Sequence, residues 1–139
     1  MATDCNAPPS WTLFLHGSEI SRAWLSEEQA LHIVLSAAAA MPSSRTDRTD
    51  RTEGYLSGVT WVLSGAQGQF DPSLIMGGIA EGHVTTQGQL LRQLPAPSHQ
   101  TGPLTLNLRL ISGTHLSASG HSLRVELAPS AVFRESWAC

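Results

Sequence analysis

The sequence predicts an all-β, mainly antiparallel domain, and three observations carry that prediction. Apolar residues recur at every second position through most of the chain, the period of a strand with one buried face. Charged residues make up only 14%, against about a quarter in an average domain. Ser, Thr, Gly and Gln take their place, and such short polar side chains suit solvent-facing strand positions better than helix faces. Turn residues punctuate the apolar runs often enough for about seven or eight short strands, as in a small β-barrel or β-sandwich, with room for one short helix.

The elements follow in order. Residues 1 to 10 read as a flexible lead-in, because Pro8-Pro9 blocks regular hydrogen bonding. Residues 11 to 139 read as a single β domain, since a second core would leave each half too small to bury much apolar surface. In WTLFLHG, Leu13 and Leu15 share one face and Phe14 and His16 the other, which predicts a central strand. EISRAWL follows Gly17 and sets Ile20, Arg22 and Trp24 on one side. Ser26 to Gln29 reads as a turn, or as a helix start with Ser26 as its cap. ALHIVLSA then reads as a strand with Leu31, Ile33, Leu35 and Ala37 inward. The competing reading makes residues 26 to 40 the short helix, and the strand is the preferred of the two.

Pro42 opens an exposed loop, 42 to 53, built on the triplets RTDRTDRTE from Arg45 to Glu53. A polar triplet repeat has no apolar face to bury, so the loop is expected to be dispensable for folding. In YLSGVTWVLSG, Tyr55, Val59, Trp61 and Leu63 align on one face and Leu56 and Val62 on the other, with a bulge or bend at Gly58. Gly65 to Gly68 and Asp71-Pro72-Ser73 are turns. Residues 74 to 84 are β-like but bent by Gly77, Gly78 and Gly82. QLLRQL is a short strand that ends at the break Pro95 to Ser98. In PLTLNLRLIS, Leu104, Leu106, Leu108 and Leu110 face inward, and Gly113-Thr114 turns the chain. SLRVEL buries Leu123, Val125 and Leu127 and leaves Arg124 and Glu126 in water. Phe133 and Trp137 anchor the C-terminus. The predicted core centres on Val59, Trp61, Leu106, Leu108, Leu123 and Val125.

The chemistry is mostly defined by exclusion. All eight basic residues are Arg, and the net charge is −3, which argues against broad attraction to nucleic acid or anionic membranes but permits a local basic patch. No stretch approaches the ~20 apolar residues of a membrane span. The start MATDCNAPPSW lacks the basic and apolar run of a secretory signal. With only Cys5 and Cys139, one in each tail, the expectation is a cytoplasmic protein with free thiols; an end-to-end clasp is the alternative.

No serine stands in a G-x-S-x-G setting, a phosphate loop needs a Lys that the chain lacks, and the cysteines are too far apart for C-x-x-C. His16, His32, His83, His99, His115 and His121 show no tight ligand spacing. His115 and His121 could meet across a hairpin at Leu116 to Gly120, but no further ligand is nominated beside them. The expectation is no catalytic residue, no metal and no cofactor.

Residues 12 to 84 resemble the layout of OB-fold single-stranded-DNA-binding proteins. LFLHGSEI stands as the opening strand, ALHIVLSA as the second, the Arg-Thr-Asp loop as the long connection, then YLSGVTWVLSG and GGIAEGHV. The likeness rests on strand order. It implies stacking of bases on Trp24, Tyr55 and Trp61, with Arg22, Arg45, Arg48 and Arg51 supplying positive charge. Burial in the core is the competing expectation for these tryptophans. A second likeness is to PilZ-type dinucleotide-sensing barrels: Arg45, Arg48 and Arg51 resemble their R-x-x-x-R arm, and Asp71, Ser73 and Gly77 their D-x-S-x-x-G turn, each spacing differing by one residue.

The preferred functional expectation is a non-enzymatic module that binds another protein or itself through exposed strand edges. Single-stranded nucleic-acid binding is the alternative. An enzyme whose active site leaves no sequence motif is the third.

Overall fold

The structure is a computed structural model that describes residues 10–43 and 53–135. Those residues form twelve strands, and no α-helix lies among them. The strands are β1 (Trp11–Phe14), β2 (Glu19–Leu25), β3 (Leu31–Pro42), β4 (Gly54–Leu56), β5 (Val59–Ser64) and β6 (Gln67–Gln69), then β7 (Gly77–Thr86), β8 (Gln89–Leu91), β9 (Gln93–Ala96), β10 (Ser98–Leu110), β11 (His115–Leu127) and β12 (Phe133–Glu135). The all-β expectation holds. The expected seven or eight strands become twelve because several long runs are cut by turns, and the alternative helix over 26 to 40 is replaced by β3. A 3₁₀ turn at Pro72–Leu74 follows the Asp71 cap, whose carboxylate accepts from the Ser73 backbone at 3.0 Å and its hydroxyl at 2.7 Å. No helix among the described residues is long and apolar enough to cross a membrane.

Every pairing is antiparallel, and six strands form a partial ring in the order β3, β5, β11, β10, β7, β2. β2 returns to β3 through the turn at Ser26 to Ala30, where the Ser26 hydroxyl accepts from the backbone of Glu28 and Ala30. The seam between β2 and β7 is short. Glu19 lies opposite Gly78 and Ile20 opposite Gly77. Gly17 N donates to Ile79 O at 2.9 Å, and Ile79 N to Ser18 O at 2.8 Å. Past Ile20 the two strands part.

Inside the ring lies one continuous core. Val59, Trp61, Leu106, Leu108, Leu123 and Val125 are all buried in it, as alternation predicts. β1 pairs with β3 and β9 with β1, and together they bury Leu13, Leu94 and Ala96 against the same core. Phe133 packs on Trp11 with ring centroids 4.5 Å apart, so this half of the predicted C-terminal anchor holds, while Trp137 lies outside the described residues.

Four local expectations are corrected. Ile20 is buried while Arg22 and Trp24 are exposed, although spacing places all three on one side. Ile20 pairs with Leu35 and Arg22 with Val34, so Ser21 is an extra, unpaired residue that turns the rest of β2 over. The run from Tyr55 to Gly65 is not one strand, because Ser57 and Gly58 (φ +77°) separate β4 from β5 and leave Tyr55 exposed. The break over Pro95 to Ser98 narrows to Pro97, since Pro95 sits in β9 opposite Thr12 and Ser98 begins β10, and QLLRQL is itself cut at Arg92. Leu116 to Gly120 is strand within β11, not a hairpin, so His115 and His121 lie about 20 Å apart along it.

Candidate functional site

The bulge at Ser21 sends Arg22 and Trp24 to the outer surface, and the tight turn to β3 fixes what stands beside them. Trp24 pairs with His32 across the strands. Their rings are parallel within 3°, with centroids 4.9 Å apart. The Arg22 guanidinium carbon lies 4.8 Å from the Trp24 ring centroid, within cation–π range. Trp24 remains 38% exposed.

Strand register carries this row on across the outer face. His32 lies opposite Val62 on β5, Val62 opposite Arg124 on β11, and Arg124 opposite His99 on β10. A parallel row runs from Arg22 through Val34 and Thr60 to Glu126. Arg124 is bound to Glu126 at 3.0 Å, so part of the positive charge is offset on its own strand. At the far end His99, Arg124 and Leu127 border an open groove of about 600 Å³.

Arg22 and Trp24 are thus brought together, while the other candidates are placed elsewhere. Tyr55 is 43% exposed on β4, opposite Ala39 and Arg134, and lines a separate hollow with Glu19 and Ile111. Trp61 is fully buried between Ile33 and Val125, and its ring offers no face to a base. Arg45, Arg48 and Arg51 lie outside the described residues, as do both cysteines. Asp71 and Ser73 satisfy one another in their turn. No group of three or more His, Cys, Asp or Glu among the described residues could hold a metal ion.

Sequence reasoning missed His32, Arg124 and His99 as neighbours of the exposed tryptophan. His32 was within reach of it, because a turn centred on Glu28 places residue 24 opposite residue 32. The other two depend on which strands meet, and no local pattern encodes that. No known protein family, curated protein or solved structure matches this chain, and the functional reading rests on its own geometry.

Proposed function

We propose that this chain is a non-enzymatic binding module that associates with a second copy of itself along the outer edge of β2. One observation carries the reading: beyond Ile20, no described strand lies on the side of β2 away from β3. The 3₁₀ turn packs near that edge, yet no backbone hydrogen bond joins it to β2. Trp24 and Leu25 stand exposed on the edge strand, and Leu74 and Met76 on the segment beside it. The turn covers the edge but leaves its backbone groups unpaired, and an edge strand with unpaired N–H and C=O groups is a template for another strand.

A second copy suits this edge by its own sequence. Antiparallel pairing about Ala23 sets Arg22 of each copy opposite Trp24 of the other, repeating the cation–π contact that each chain already makes internally. Such a contact is isologous and closes at two copies.

Sedimentation equilibrium over a range of concentrations tests the reading. The expected result is a dimer that is lost in Trp24→Lys, with the β spectrum of the chain unchanged. A chain that stays monomeric into the millimolar range overturns it, as does a dimer indifferent to Trp24→Lys.

The row from Trp24 through His32 and Arg124 to His99 favours a second reading, the binding of single-stranded nucleic acid on the outer face. Two facts weigh against it: Trp24 already carries a stacked His32, and Glu126 neutralises Arg124. Titration against fluorescent single-stranded DNA and RNA at about 150 mM salt separates the readings, because phosphate contacts weaken steeply as salt is added. Micromolar, salt-sensitive binding that is lost in Arg22→Ala would put this reading first.

A further inference from the structure

Elsewhere on the surface, β7 alternates the inward Gly82 and Val84 with the outward Glu81 and His83. β8 returns alongside it with Leu91 opposite Val84, which brings the following residue, Arg92, next to His83. The end of β1 reaches the same place, because Leu15 N donates to Arg92 O at 3.2 Å and His16 comes next in the chain. Gly82 makes this convergence possible. A Cβ there would lie 2.7 Å from Leu108 Cδ2 and 3.0 Å from Leu15 Cβ. Only a glycine lets the β1 end pack so close to β7.

The result is a hollow of about 280 Å³ lined by His16, Ala80, Glu81, Gly82, His83 and Arg92. Its lining holds one base and one acid, and of the two only the acid is paired. Arg92 has no ion-pair partner among the described residues, whereas Glu81, the one acid lining the hollow, is bound to Arg109 at 3.0 Å. Each imidazole carries at least one N–H donor in either tautomer. An unpaired guanidinium matches the geometry of a phosphate, to which it can donate two parallel hydrogen bonds. The volume falls just under the range of small-molecule pockets, which begins at about 300 Å³, and suits a small group.

We propose that this hollow binds a phosphate group, as the free ion or on a small carrier molecule, with Arg92 as the charged anchor and His16 and His83 as neighbouring donors. The site is independent of the β2 edge.

The test is an amide chemical-shift titration of the full chain at constant ionic strength, with inorganic phosphate in one arm, ribose 5-phosphate in another and chloride as reference. The expected result is saturable shifts confined to residues 14–17, 80–83 and 91–93. Arg92→Gln should weaken binding by at least about tenfold, or ~1.4 kcal/mol, and His16→Asn should weaken it as well. Arg134→Gln, on β12, should leave it unchanged. Equal affinity in the two arms assigns the free ion, and tighter binding of ribose 5-phosphate assigns a carrier molecule; both support the site. Shifts that fail to saturate, that chloride reproduces, or that survive both Arg92→Gln and His16→Asn overturn it.

Discussion

Trp24 and His32 face one another across β2 and β3, 3° from parallel with ring centroids 4.9 Å apart. The pair owes its exposure to Ser21. Without that extra residue Trp24 would share the face of Ile20 and enter the core. One unpaired serine therefore converts a core-type alternation into a surface stack, and it does so where β2 leaves β7.

The stack should be measurable as a coupling. A double-mutant cycle with Trp24→Ala and His32→Ala, read by urea denaturation, is expected to give an interaction energy of about 0.5 kcal/mol, the lower end for aromatic pairs because this one is partly solvated. A coupling indistinguishable from zero would show that the rings merely coincide.

The legible part of the fold was the part encoded in single strands. Leu104, Leu106, Leu108 and Leu110 alternate with polar residues, Val59, Trp61 and Leu63 stand at every second position too, and all seven are buried. What misled was any residue that breaks the period. Ser21 inverts β2, Gly58 splits a run in two, and Ser117 to Gly120 are too small and polar to announce a strand, although Ser117, Ala118 and Ser119 pair with both β10 and β6. The candidate site was half legible. Arg22 and Trp24 are neighbours in sequence and stay so in space, whereas Arg124 and His99 join them only through the order of strands around the ring.

Core positions read from alternation should carry the stability. Leu106 lies opposite Val84 and Ala118, and Val125 opposite Trp61 and Ser98; both are buried. Leu106→Ala or Val125→Ala is expected to cost roughly 2–4 kcal/mol in urea unfolding, the range for cavity-forming truncations. A loss below about 0.5 kcal/mol at both sites, typical of surface changes, would contradict their placement.

Gly120 is required for a different reason. It sits near the middle of β11, between its pairing with β6 and its pairing with β5, and a Cβ there would lie 2.5 Å from Ser64 O and 2.7 Å from Leu63 Cδ1. Backbone on one side cannot yield, so Gly120→Ala should cost about 1–3 kcal/mol by overpacking. Thermal unfolding of the variant checks this, and an unchanged melting temperature would mean that the β5 backbone can retreat from β11 at no cost.

Gln29 offers a change in the opposite direction. Its φ of 65° places a non-glycine residue in the left-handed region, inside the turn from β2 to β3. Its backbone donates to Ser26 O and accepts from Ala66 N, and both bonds are independent of its side chain. Gln29→Gly should therefore relieve strain and stabilise the chain by about 0.5–1 kcal/mol, the left-handed penalty less the added freedom of glycine when unfolded. A lowered melting temperature would show that the side chain makes a contact worth more than the strain.

The seam between β2 and β7 should be the first part of the ring to open. β10 is paired on both sides along most of its length, to β7 and to β11, whereas β2 meets β7 only around Glu19 and Ile20. Local opening free energy follows the packing and hydrogen bonds that must be broken together, so a short seam at the end of a strand opens without unfolding the rest. In native-state hydrogen exchange, the amides of Gly17 and Ile79, which donate across this seam, should exchange through an opening that costs less than global unfolding and depends little on denaturant. Amides of Leu106 and Leu108 should exchange only with global unfolding. If dimerisation through β2 covers the adjoining edge, raising the protein concentration should slow exchange at the seam and leave the β10 amides unchanged. Equal protection at the seam and in β10 at low concentration would show that the ring opens as one unit, and that the departure of β2 from β7 is no weak point.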